Sequence, residues 1–226
     1  MAASIHRPLD DDLLVLRDLL MEMAYLVDEQ LADAVDALSK LDLEQAERVR
    51  RRDDEIDAYE IRIDRQCERI LALHHPVASE LRFIITAVKI NTDLERIGDH
   101  AKNLARATAV VAESPEVLTA TRLTDMADAA RAMLRRVQDA FVAADRVAAR
   151  EVVADDQTVD RLYLDVLSAL VAYGQAHPEH LRAVSRLITS AKSIERISDH
   201  AKNIAEQVVF LVEGTDIRHR KLRQRP

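Results

Sequence analysis

Apolar residues recur at spacings of three and four along nearly the whole chain. In the first such stretch Leu13, Leu16, Leu20, Met23 and Val27 fall on one face of a helix. No segment alternates apolar and polar positions as a half-buried strand would. The pattern predicts six helices, over residues of about 9–40, 43–73, 76–112, 117–144, 146–174 and 178–212. Punctuation supports these spans. Asp42 precedes LEQAERV with Gln45 three residues on, the pattern of a capping box. Pro76 after His75 suits the first turn of a helix, and Ser114-Pro115 marks another start. Asp145 precedes RVAARE, and His177-Pro178 opens the last helix.

The pattern also repeats. ERIGDHAKNLA spans residues 95–105 and ERISDHAKNIA spans 195–205, differing only at Gly98/Ser198 and Leu104/Ile204. Asp42 maps onto Asp145 at an offset of 103, Pro76 onto Pro178 at 102, and Glu95 onto Glu195 at 100. Such self-similarity marks a duplicated unit. Short turns make consecutive helices antiparallel neighbours. The expectation is an all-α chain of two tandem antiparallel three-helix bundles packed side by side, a pseudo-twofold internal repeat. The halves are 1–115 and 116–226, dividing near 113–121. Third helices of about 35 residues would reach ~50 Å.

Composition agrees with long helices. Hydrophobic residues make up 48% and charged residues 32%, with 3% aromatic and three glycines, so the core must be filled by Leu, Ile, Val and Ala. A net charge of −8 argues against a nucleic-acid partner, which usually needs a basic face. Cys67 is the one cysteine, so no intrachain disulfide is expected, and it reads as a core residue. The start MAASIHRPLDDDLL lacks the apolar stretch of a signal peptide, and no run approaches the ~18 apolar residues of a membrane span. A cytoplasmic protein without membrane insertion is expected. The end, DIRHRKLRQRP, carries five Arg or Lys from 218 to 225. It reads as a solvated terminus, with contact to an acidic partner or the inner membrane face as the other reading.

The repeated motif carries the candidate chemistry. Glu95 and Asp99 are four apart, on one helix face one turn apart, as are Glu195 and Asp199. Like charges at this spacing repel by a few tenths of a kcal/mol. One helix earlier, Asp53 and Asp57 form a second such pair, matched by Asp156 and Asp160. Counted from the turn near 74–75, Asp57 and Glu95 sit at similar heights on antiparallel helices, so four carboxylates per half can converge. Oxygen-rich anionic sites suit Mg²⁺, Ca²⁺, Mn²⁺ or iron, and carboxylates also bind Zn²⁺. The competing reading is a solvated acidic face balanced by Arg96 and Lys102; duplication of all four carboxylates favours metal. His100 and His200 lie ~100° around the helix from Asp99 and Asp199, beside the cluster rather than in it. Asn103 and Asn203, four beyond the aspartates, could orient a ligand carboxylate or a water, or make an ordinary surface hydrogen bond.

Ferritin-like di-iron sites need Glu-x-x-His, and Gly98 and Ser198 stand where that histidine would be. No phosphate-cradling glycine loop, nucleophile elbow or HExxH motif is present. A non-enzyme is expected, with a carboxylate-bridged metal enzyme performing hydrolysis or oxidation as the alternative.

The stretch HPVASELRFIITAVKINTDLERIGDHAKNLA, residues 75–105, resembles the PhoU family of phosphate-uptake regulators, as does the second copy, SIERISDHAKNIAE. The resemblance extends over about residues 9–213. It implies two similar three-helix bundles whose E(D)xxxD motifs carry iron or zinc clusters on the surface. The ligands it implies are Asp53, Asp57, Glu95 and Asp99 in the first half. In the second they are Asp156, Asp160, Glu195 and Asp199. It further implies an adaptor between the phosphate-specific ABC transporter and a membrane sensor histidine kinase, repressing the phosphate regulon when phosphate is plentiful. A homodimer is implied too, held at the membrane only through its partners. An accessory protein of a different phosphate transporter is the other reading within this class.

Overall fold

The computed structural model describes residues 7–218. Long helices dominate: α1 (Pro8–Lys40), α2 (Leu43–Leu73), α3 (Ser79–Ala105), two single turns α4 (Thr108–Val111) and α5 (Glu116–Thr119), then α6 (Leu123–Ala143), α7 (Arg146–Ala176) and α8 (Leu181–Glu213). Among the described residues there is no strand. Helices α1, α2 and α3 pack into one bundle, and α6, α7 and α8 into another. The bundles join along α3 against α8 and, more lightly, α1 against α6. Helices α2, α3, α8 and α7 therefore lie side by side in that order.

Helix ends repeat with the sequence. α1 closes at Leu41 (φ 56°) and α6 at Ala144 (φ 50°), both left-handed without being glycine. Each is followed by an aspartate that caps the next helix: Asp42 accepts from Gln45 N, and Asp145 from Val147 N and Ala148 N. Only half of the capping box at Asp42 forms, because the Gln45 side chain donates to Asp33 on α1 instead.

The third helix departs from its expected span at both ends. Pro76 lies in a non-helical connection and α3 starts at Ser79, after Ala78 at φ 43°. The helix stops at Ala105; Ala107 N bonds Leu104 O, a tighter turn, before the chain resumes as α4. The fourth predicted helix likewise starts at Leu123, with α5 as a separate turn. A 3₁₀ turn over Pro178–His180 leads into α8.

The core is continuous across both bundles. At the junction Phe83 stacks on Phe141 with ring centroids 6.5 Å apart. Arg131 forms a two-point pair with Asp28 (2.9 and 3.0 Å), and Gln138 donates to Ala24 O at 2.9 Å. Cys67 is buried, and burial pushes its thiol up to about 12. Among the described residues no helix is long and apolar enough to cross a membrane. Of the basic end, only Arg218 is described, paired with Asp216 at 2.5 Å; the rest of that reading, like that of the first six residues, falls outside the described residues.

The open end of the first bundle is tied by Asp12 of α1. It accepts from Gln66 Nε2 at 3.2 Å, meets His74 Nε2 at 3.0 Å and lies 3.4 Å from Arg69. The His74 contact first, with help from Gln66 and Arg69, holds this carboxyl below its usual range. A depressed carboxylate pKa contributes stability above the unfolded value and loses it as pH falls through the folded one. Urea unfolding should thus show wild type more stable than Asp12→Asn by about 1 kcal/mol at pH 6. The gap should close as pH falls below about 4, the unfolded aspartate pKa.

Candidate metal centre

Asp53 and Asp156 are the innermost of the eight carboxylates, 2% and 3% exposed. Each meets a lysine from the neighbouring helix. Lys102 of α3 donates to Asp53 Oδ2, and Lys202 of α8 donates to Asp156 Oδ2 at 2.5 Å. The other oxygens differ. Asp53 Oδ1 accepts from Gln30 Nε2 at 3.1 Å, and the same nitrogen lies 3.2 Å from Gly98 O. Asp156 Oδ1 is buried and has no hydrogen-bond donor. The offset that pairs Leu41 with Ala144 pairs Gln30 with Met133, so the second half carries a thioether where the first carries an amide. Gly98 allows the close approach of Ile56 from α2: a Cβ there would stand 3.0 Å from Ile56 Cδ1. Gln30→Met should leave Asp53 Oδ1 and Gly98 O without this donor and destabilise the chain by about 1–3 kcal/mol, measured by chemical unfolding.

The remaining carboxylates gather at the mouth of each cluster. Burial, then the charge of Asp53, raises the Asp57 pKa, with Asp99 adding to it. Burial and Asp99 raise Glu95, which also feels Asp57. In the second half burial raises Asp160, with Asp156 and Glu195 next, and burial raises Asp199, with Glu195 and Asp156 next. The two helices of each half thus bring their four carboxylates into one electrostatic neighbourhood. Basic groups border it. Arg96 lies 3.4 Å from Glu95 and 3.9 Å from Asp99, Arg196 lies 3.3 Å from Asp199, and Lys192 lies 2.6 Å from Glu195. As these side chains stand, no three His, Cys, Asp or Glu among the described residues are arranged to hold a metal ion.

The donor set nevertheless fits a hard cation. It consists of carboxylate oxygens, several of them pushed toward protonation by burial and mutual repulsion. One, Asp156 Oδ1, is buried without a donor although Lys202 holds the other oxygen of the same carboxylate, so its lone pairs are open to a further donor or cation.

The histidines sit between the clusters. His100 and His200 rings are 5.8 Å apart, where α3 crosses α8. His200 Nδ1 is 2.8 Å from Asp93 Oδ1, whereas His100 Nδ1 is buried with no partner. Burial, then His200, lowers the His100 pKa to about 4, so it is neutral at pH 7. Asn203 donates to the same Asp93, and Asn103 accepts from Arg106 on its own helix. Sequence reasoning missed Gln30 and the reach of both lysines. Lys102 was legible only as a neighbour of Asp99, from which it is 3.9 Å away. The duplicated DHAKN was the available signal.

The PhoU domain family matches residues 20–108 and 123–208. The chain belongs to the PhoU family. The two PhoU matches each contain one carboxylate set. A curated relative from Pseudomonas putida, described as a phosphate-specific transport system accessory protein PhoU homolog, is 40% identical over 221 residues, 97% of this chain and 86% of the relative. The crystal structure of PhoU from Pseudomonas aeruginosa superposes with a TM-score of 0.86 at 40% identity, covering 91% of this chain and 99% of that one. That of the phosphate transport system regulatory protein PhoU from Streptococcus pneumoniae gives 0.84 at 27% identity, covering 92% and 99%.

Proposed function

We propose that this chain regulates phosphate uptake and phosphate-starvation signalling as a metal-binding adaptor. In this reading it docks on the phosphate-specific ABC transporter and a sensor histidine kinase, and represses the phosphate regulon when phosphate is plentiful. The observation that carries the reading is likeness along nearly the entire chain to a relative described as an accessory protein of that transport system. The geometry supports it: two carboxylate clusters flank one helix junction, on helices packed side by side. Exposed Leu81, Ile85 and Val88 give α3 an apolar strip beyond its core face, which suits protein contact.

Iron or zinc is the proposed occupant, held by Asp53, Asp57, Glu95 and Asp99 and by Asp156, Asp160, Glu195 and Asp199. Bound there, the metal would supply positive charge at the surface, drawing helices α2 and α3, or α7 and α8, together and presenting a cationic spot to an acidic partner. The protein is proposed to act as a homodimer on the cytoplasmic side, reaching the membrane through its partners.

The test is capture from membranes. The tagged chain, recovered from cells grown in high and in low phosphate, is expected to bring down transporter and kinase components in a phosphate-dependent ratio. Recovery of neither component under either condition would contradict the reading.

A further inference from the structure

Each carboxylate cluster contains a cation of its own. The acceptor ends, Asp53 and Asp156, are almost fully buried, while the Lys102 and Lys202 side chains remain 23% and 34% exposed. The fixed partner is therefore the carboxylate, and the adjustable one is a flexible four-carbon stem that reaches in from solvent. Lys102 also lies 3.9 Å from Asp99 Oδ1, so its ammonium stands between a buried carboxylate of α2 and a motif carboxylate of α3.

An ammonium so placed does two things. It compensates a buried aspartate that would otherwise be costly to keep ionised. It also puts a positive charge where a divalent ion would have to bind, and two cations at that range repel. Both halves keep the arrangement although their surroundings differ, with Gln30 beside Asp53 and no such donor at Asp156.

We propose that Lys102 and Lys202 are built-in counter-cations that fill the two clusters in the metal-free chain and swing out when a metal ion enters. They thereby set the metal affinity as positioning residues that compete for the same carboxylates. The inference rests on the metal reading above. It adds that the metal-free protein is held ready, with its buried carboxylates neutralised, instead of being unfolded or self-repelling at these sites.

Lys102→Met/Lys202→Met keeps the aliphatic stems and removes both charges. The full-length chain, stripped with chelator, is titrated with Mn²⁺ by calorimetry, and its thermal unfolding is followed with and without Mn²⁺. Expected are a fall of several degrees in the metal-free midpoint and Mn²⁺ binding at least about tenfold tighter than in wild type, from loss of a competing ion pair. Lys102→Arg/Lys202→Arg keeps the charge and should recover metal-free stability without the tighter binding. A residue with a merely structural role would lower stability and leave affinity unchanged or weakened, so equal or weaker Mn²⁺ binding by the methionine variant overturns the proposal. Absence of Mn²⁺ binding by wild type and variant alike overturns the metal reading and the displacement with it. Binding by the variant alone supports both. Should the double variant fail to fold, Lys102→Met and Lys202→Met singly leave one cluster intact, and the tightening is read at the altered cluster.

Discussion

A chain in which Glu95 and Glu195 are replaced by Gln, and Asp99 and Asp199 by Asn, is expected to fold and to lose metal. It is also expected to lose the proposed association with transporter or kinase. The fold should survive because the amides are isosteric with the acids and remove repulsion instead of adding it. The buried pairs of Asp53 with Lys102 and Asp156 with Lys202 remain in place. Metal content by elemental analysis, on protein purified without chelator, should fall more than about tenfold, since two of the four proposed ligands per cluster are gone. The consequence for docking separates two roles. If the clusters only staple neighbouring helices together, the variant folds and still represses. If they form part of the docking face, it folds and fails to associate. Failure to associate is the expected result, because two clusters flanking one helix junction exceed what stability requires. Wild-type capture and repression by a metal-free variant would contradict it.

The second large effect is on the junction. Leu104→Ala is expected to cost about 2–5 kcal/mol. Leu104 is fully buried and lines a small apolar gap with Val35 and Leu38 of α1, Leu123 and Ala127 of α6, and Ile194 of α8. Truncation therefore removes packing from both bundles at once. At roughly 2–4 °C per kcal/mol for a chain of this size, the unfolding midpoint should drop by about 4–20 °C. The transition should stay single, because the core runs continuously from one bundle to the other. Two separate transitions in the variant or in wild type, followed by calorimetry, would mean that the halves fold independently.

The long helices were legible because their apolar faces and their Asp and Pro boundaries agree, and α2 runs over its expected span, residues 43–73. The ends of α3 were less so. RATAVVA keeps a helix-like spacing through the break after Ala105, so burial of Thr108 and Val111 looks periodic whether or not the backbone is continuous. Pro76 fits a first helical turn by type, yet the connection runs on to Ser79, where Val77 N donates to Glu80 Oε2 at 3.1 Å and Glu80 also meets Arg7, just before α1, at 2.7 Å, a contact that local sequence does not announce.

At the candidate centre, carboxylate spacing within each helix was readable, and antiparallel counting placed Asp57 near Glu95. Side-chain commitments across helices were not. Lys102 looks from its spacing like a partner of Asp99, but helix packing hands its ammonium to Asp53 one helix away. The non-equivalence of the two clusters rests on Gln30, which lies on α1, outside every motif, and became visible only when α1 closed over α2 and α3. The histidines followed a similar course: their ~100° offset from the aspartates placed them off the clusters, while the approach of their rings to 5.8 Å depends on how the repeats meet.

Restraint of phosphate-starvation signalling by this PhoU chain, as proposed, can be read with a starvation-responsive reporter in cells that lack the chain and grow in abundant phosphate. The reporter is expected to be on without the chain and to switch off when the wild-type chain is returned. A reporter that stays off without the chain would overturn the proposed role.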